Sequence, residues 1–223
     1  MSIEGSITAL VTPMNEKGDL DYTSLEKLIN FQIDAGISGL VAVGTTGESA
    51  TIDFEDHIKL IEFFIKISNG RVHIIAGTGA NSTDEALHLT KEAKNLGADA
   101  ALLVSPYYNK PPQEGIYRHH AKIADEVDIP QILYNVPSRT ASFIEPETVK
   151  RLSSHQNILG IKDATGDMKN LSEVLKLCEE EIKNKNFFLY SGDDFSFLEF
   201  LKGGGHGTIS VTSNVDRKST RLN

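Results

Sequence analysis

An alternation of short apolar runs with helical stretches, repeating about every 30 residues, constrains this chain more than any other feature. The runs cover residues 5–11, 39–43, 72–76, 100–104, 131–134, 158–162, 187–190 and 207–210, and predict eight strands. Between them lie stripes at helical spacing, such as Leu25, Leu28, Ile29 and Ile33, or Ala86, Leu89, Ala93 and Leu96. Thr23 with Glu26 and Ser82 with Glu85 have capping-box spacing, and Asp53 can cap the helix that follows it. Gly36, Gly70 and Gly97 stand where helices should stop, and Pro146 opens a short helix at its first position. Strands alternating with helices imply right-handed βαβ units and a parallel sheet. Eight units without a long central break favour closure into a (β/α)8 barrel over an open doubly wound sheet.

The last unit departs from the pattern. After residue 210 no helical stripe follows, and the 223 residues fall short of the roughly 250 typical of such a barrel. The expectation is one catalytic domain over residues 1–215 that lacks its final helix, with residues 216–223 as a non-native or disordered tail.

Composition narrows the class of molecule. A net charge of −9, spread along the chain, argues against nonspecific nucleic-acid or anionic-membrane binding. One cysteine, Cys178, excludes an internal disulfide, and its apolar neighbours read as helix core. No secretory signal is legible, and no apolar stretch reaches the length of about 18 residues that spans a membrane, so a cytoplasmic protein is expected. The seven histidines show no ligand spacing; His119 and His120 are helix neighbours, which do not face each other, so no metal is expected. No dinucleotide fingerprint follows a strand, and no other cofactor is implied.

The loops after the strands carry the reactive side chains, which is where this fold places chemistry. The sixth predicted strand delivers Lys162 to its carboxyl end. Strict alternation puts Lys162 on one face with Gly160 and Ile158, and Leu159 and Ile161 on the other. A desolvated amine there becomes neutral and nucleophilic near neutral pH and can form a Schiff base with a ketone. The plainer reading is a lysine paired with Asp163 beside it. Gly44-Thr45-Thr46-Gly47 offers hydroxyls and backbone N–H groups suited to a carboxylate, or is simply a tight turn. Tyr134, on the same face as Ile132, could reach the Lys162 amine or be a packed core residue. Arg139 is a carboxylate holder by type, though a loop arginine is usually solvated.

Five motifs then fall in a familiar order: Gly44-Thr45-Thr46-Gly47-Glu48-Ser49, Tyr107-Tyr108-Asn109-Lys110, Tyr134-Asn135-Val136-Pro137 with Arg139-Thr140, Gly160-Ile161-Lys162-Asp163, and Ser191-Gly192-Asp193-Asp194. Together they resemble the dihydrodipicolinate synthase family, from Gly5 to about Asn214. The resemblance implies a class I aldolase-like lyase of lysine and diaminopimelate biosynthesis. Lys162 would condense with pyruvate, and the enamine would attack L-aspartate 4-semialdehyde to give 4-hydroxy-tetrahydrodipicolinate. It makes Tyr134 the proton donor and acceptor, Thr45 its relay partner, and Tyr108 a third relay member inserted from a neighbouring subunit of a homodimer or homotetramer. Thr46 would hold the pyruvate carboxylate and Arg139 that of the semialdehyde, with Gly192 and Ile209 lining the pyruvate site. Ser49, Ala50, His57, Asn81, Glu85 and Tyr107 match the cleft where sensitive members bind L-lysine. Phe54 stands where those members often carry histidine, so weak or altered inhibition is expected. Two other readings compete. One is a related pyruvate-lysine barrel, such as N-acetylneuraminate lyase or a keto-deoxy sugar acid aldolase. The other is an inactive fragment that keeps only binding or assembly.

Overall fold

The computed structural model describes residues 3–216. Its elements run β1 (Gly5–Ala9), α1 (Tyr22–Asp34), β2 (Gly39–Ala42), α2 (Phe54–Ser68), β3 (His73–Gly77), α3 (Thr83–Leu96) and β4 (Ala100–Val104). They continue with α4 (Gln113–Glu126), β5 (Gln131–Asn135), α5 (Pro137–Thr140), α6 (Pro146–Ser153), β6 (Ile158–Asp163), α7 (Met168–Leu177) and α8 (Glu179–Lys183). β7 (Phe188–Ser191), α9 (Phe197–Lys202) and β8 (Gly207–Ser210) complete them. All eight strands are parallel and close into a barrel, because β1 pairs with β8 as well as with β2. The expected (β/α)8 fold is the one observed.

Two shells of apolar residues hold it. Ile7, Val41, Ile75, Leu102, Ile132, Phe188 and Ile209 fill the barrel interior, as the layered core of this fold requires. Alternate strand residues face outward against the helices, with Leu40, Ile74, Leu60 and Phe64 in one outer cluster and Leu133, Ile161, Leu171 and Leu189 in another. Helix ends follow the sequence signals in part. Gly36, Gly70 and Gly97 have left-handed φ of 73°, 71° and 94°, and the Ser82 hydroxyl accepts from Glu85 N. α1 is capped by Asp21, whose carboxylate accepts from Ser24 N at 3.0 Å, and not by Thr23. Asp53 occupies the cap position of α2 without a side-chain bond.

Two expectations and one alternative reading need correction. In β6, Ile158 joins the outer cluster with Ile161, while Leu159 points into the barrel. A bulge causes this: Gln131 pairs with Ile158 but Ile132 pairs with Gly160, so one extra residue re-phases the strand before Lys162. Gly160 is required there, since a Cβ would stand 2.2 Å from the Phe188 carbonyl oxygen. His119 and His120 are both buried, with rings 5.0 Å apart edge to face. α4 is covered on two sides, through Ile123 to one outer cluster and through Ile116 and Ala124 to another, so its buried arc takes in neighbours. Lys162 and Asp163 do not pair: the Asp163 carboxylate turns to the helices, accepting from Thr165 N at 2.8 Å and from the Asn170 amide on α7.

After β8 the described residues form a 3₁₀ turn, Thr212–Asn214, and no further helix. The Asn214 amide donates to Ala9 O at 2.8 Å and Gln32 donates to Ser213 O at 3.0 Å, so this segment is stitched to β1 and α1. Of the expected tail, residues 217–223 lie outside the described residues. Among those described, no helix is long and apolar enough to cross a membrane.

Candidate active site

Lys162 lies at the carboxyl end of β6, in register with Tyr134 on β5 and Tyr190 on β7. It is 4% exposed. The Nζ stands over the Tyr134 ring, 4.1 Å from its centroid. Burial lowers its pKa from the ordinary 10.5 to about 7; the charge of Asp194 pulls it back up, and that of Arg139 pushes it further down. A large share of the amine is therefore neutral at neutral pH, as a nucleophile requires.

Tyr134 is 6% exposed, and the Thr45 side chain lies near its hydroxyl. Burial raises the phenol above its usual range, opposed by the Arg139 charge and by the nearby Thr45 side chain. Thr45 and Thr46 sit in a 3₁₀ turn, Thr45–Gly47, directly after β2. Val43, which leads into it, has φ of +53°, a strained conformation for a β-branched residue and one that clusters at functional sites. The Thr12 hydroxyl donates to Gly47 O at 2.7 Å and fixes the far side of the turn. Thr46 is half-buried at its centre.

Gly192 packs on the lysine itself. A Cβ there would fall 2.8 Å from Lys162 Cε and 3.0 Å from Cγ, so only glycine leaves the aliphatic stem its path. Ile209 is buried in the interior layer, in register with Ile7. Arg139, on α5, is exposed at the same end, close enough for its charge to act on both Tyr134 and Lys162. Tyr108 is not gathered in: it is 90% exposed, with φ of +74°, and its ring projects outward.

A cavity of about 380 Å³ opens beside this group, and Thr45 and Arg139 are in its wall. Ser49, Ala50, His57, Glu85 and Tyr107 line it as well, with Phe54, whose ring stacks on His88 at 5.1 Å. Asn81 is not in the wall, but its backbone lies near the Tyr107 hydroxyl. His57 Nε2 lies 2.7 Å from Gly77 O, and burial lowers the ring's pKa despite that bond, so the imidazole is neutral near neutral pH. Asp194 and Tyr190 received no role from the sequence. Asp194 lay in plain view within Ser191-Gly192-Asp193-Asp194, but its nearness to Lys162 depends on how β7 and β8 close.

Comparison with known proteins follows the same lines. A model of the dihydrodipicolinate synthetase family matches residues 2–221. The 4-hydroxy-tetrahydrodipicolinate synthase of Alcanivorax borkumensis is 54% identical over 213 residues, spanning 96% of this chain and 71% of that protein. The crystal structure of the chloride-inhibited dihydrodipicolinate synthase of Acinetobacter baumannii, complexed with pyruvate, is similar at a TM-score of 0.93 and 50% identity, over 98% of this chain and 74% of that one. That of the Cyanidioschyzon merolae enzyme with lysine bound is similar at 0.88 and 38%, over 95% and 71%. This chain belongs to the dihydrodipicolinate synthetase family.

Proposed function

We propose that this chain is a Schiff-base lyase that condenses pyruvate with L-aspartate 4-semialdehyde to give 4-hydroxy-tetrahydrodipicolinate. The observation that carries the reading is a dry amine with a pKa of about 7, set over the ring of a buried tyrosine that has a threonine side chain beside it. The neutral Lys162 amine adds to the pyruvate ketone and water leaves, forming an iminium. Loss of a methyl proton gives an enamine, whose carbon attacks the aldehyde and forms the new C–C bond. The amino group of the former semialdehyde then adds to the imine carbon, closes the ring and releases Lys162.

Tyr134 moves the protons in this scheme and Thr45 relays them, in keeping with the nearness of the two side chains. Tyr108 completes the relay from a second subunit, so the active form is a homodimer or a larger assembly; a ring 90% exposed on strained backbone supports that use. Thr46 holds the pyruvate carboxylate, Arg139 that of the semialdehyde, and Gly192 and Ile209 line the pyruvate site. Residues 1–215 act as one catalytic barrel. The cavity walled by Ser49, Ala50, His57, Glu85 and Tyr107, with Asn81 behind Tyr107, binds L-lysine weakly, because Phe54 offers no polar atom to it.

The test is chemical. Incubation with pyruvate followed by borohydride should leave a reduced adduct on Lys162, found by mass spectrometry, and prior addition of the semialdehyde should discharge the imine. A folded sample without an adduct refutes the reading. Discharge by N-acetylmannosamine in place of the semialdehyde would move it to the N-acetylneuraminate lyases.

A further inference from the structure

The loop from β4 to α4, Ser105-Pro106-Tyr107-Tyr108-Asn109-Lys110-Pro111-Pro112, has three prolines in eight residues, so it carries few backbone donors with which to fix itself. Tyr108 and Lys110 stand at φ of +74° and +45°, and Tyr108 is 90% exposed, so packing of its own ring does little to hold it. Strained backbone of this kind persists only where the surroundings over-determine it. Here they are supplied by the segment after β5. Ser142 is buried, and its hydroxyl donates to Pro106 O at 3.0 Å, at the residue before Tyr107. Ser142 N donates to the Thr140 hydroxyl at 3.2 Å and that hydroxyl donates to Ser142 O at 2.8 Å, which ties Ser142 to the end of α5 beside Arg139. The same segment is fixed on two more sides. Ile144 N donates to Asn135 Oδ1 at 3.1 Å. Gln113, the first residue of α4, donates to Phe143 O at 2.7 Å and accepts from Glu145 N at 3.1 Å and the Thr148 hydroxyl at 2.7 Å. Residues 142–148 thus form a platform that grips the tyrosine loop at both ends, through Pro106 and through Gln113.

We propose that Ser142 is a positioning residue for Tyr108: through Pro106 O it fixes the loop that presents the Tyr108 hydroxyl to a second subunit. The inference rests on the reading of Tyr108 as the relay member shared between subunits. A ring that stands clear of its own protomer is aimed by its backbone, and the Ser142 bond grips that backbone two residues before it. Pro106 is buried, so without the serine hydroxyl its carbonyl loses a partner that water does not readily replace, and the loop is free to shift. Ser142 itself is not in the wall of the cavity, unlike Tyr107, Arg139 and Thr140, so its effect on the reaction runs through the residues it holds.

The experiment measures steady-state turnover of pyruvate and L-aspartate 4-semialdehyde by the full chain as wild type, Ser142→Ala, Tyr108→Phe and the double variant. Ser142→Ala should lower turnover about tenfold, as a misplaced group does. The pyruvate concentration that half-loads Lys162, read from borohydride-trapped adduct by intact-protein mass spectrometry, should stay within about twofold of the wild type. Added to Tyr108→Phe, Ser142→Ala should cost no more than about a further twofold, because the hydroxyl it aims is already gone. Should Ser142→Ala fail to fold, Ser142→Cys, of similar size and a weaker donor, carries the same comparison. A folded Ser142→Ala variant with wild-type turnover overturns the proposal. So does an equal loss in both backgrounds, because the serine would then act on the site by a route other than Tyr108. Wild-type turnover in Tyr108→Phe overturns the relay reading and this inference with it, while leaving the Lys162 adduct intact. A wild type without turnover overturns both the proposed reaction and this inference.

Discussion

Replacing Lys162 by methionine removes a buried amine and keeps a side chain of similar length, and the expected result is a more stable protein. In the unfolded chain the lysine releases its proton near the ordinary 10.5, whereas in the native barrel it does so near 7. At about 1.4 kcal/mol per pH unit, that fall penalises the native state by roughly 5 kcal/mol below about pH 7. Between the two values the unfolded chain holds more protons than the native one, so wild-type stability climbs as pH rises through that window. The variant has no such climb. Its advantage should therefore be greatest at low pH, shrink by about 2–3 kcal/mol between about pH 6 and about pH 9, and vanish above 10.5. Urea unfolding followed by circular dichroism at both pH values measures this directly, provided that the slopes of the two proteins agree. A variant less stable than the wild type at about pH 6, or an advantage that does not change with pH, would refute the account of a desolvated amine.

Three further outcomes follow from the site. In Gly192→Ala the new methyl group meets Lys162 Cε at 2.8 Å and Ala164 Cβ at 2.9 Å; overpacking of about 1–3 kcal/mol should lower the melting temperature by roughly 2–12 °C, and adduct formation should slow at least about tenfold. Tyr134→Phe keeps the ring beneath the amine and loses the hydroxyl that moves protons; steady-state turnover should drop roughly 100- to 10,000-fold, while prolonged incubation with pyruvate still yields the adduct. Phe54→His places a polar atom in the cavity wall, and calorimetry should show lysine binding tightened about tenfold, or roughly 1.4 kcal/mol.

The barrel was legible because its signal is global: eight strand and helix alternations agree, and no single misread residue alters the closure. Local phase was not. The β6 bulge appears only when Gln131 and Ile132 are seen paired with Ile158 and Gly160, and nothing in Ile158-Leu159-Gly160 announces that alternation breaks there. Lys162 nevertheless reached the inner face, because the extra residue lies before it. Thr23 with Glu26 fitted the capping box, but Asp21 starts α1 two residues earlier and its carboxylate competes better for the free N–H groups. The company Lys162 keeps was only half readable. Tyr134 could be placed from strand order, whereas Asp194 depends on a loop folding back onto the next strand end, a contact that no spacing rule encodes.

β7 meets β8 through two residue pairs, Tyr190 with Gly207 and Ser191 with Thr208, while β6 and β7 share four. The ring of strands is thus thinnest at the joint that contains Tyr190, the direct neighbour of Lys162. Any breathing of the barrel begins to leak there, and the first thing to be wetted is the amine that must stay dry. Watertightness, more than the shape of the mouth, is then what two backbone rungs and one aspartate clasp maintain, and the reactivity of the lysine lasts as long as that seam stays shut.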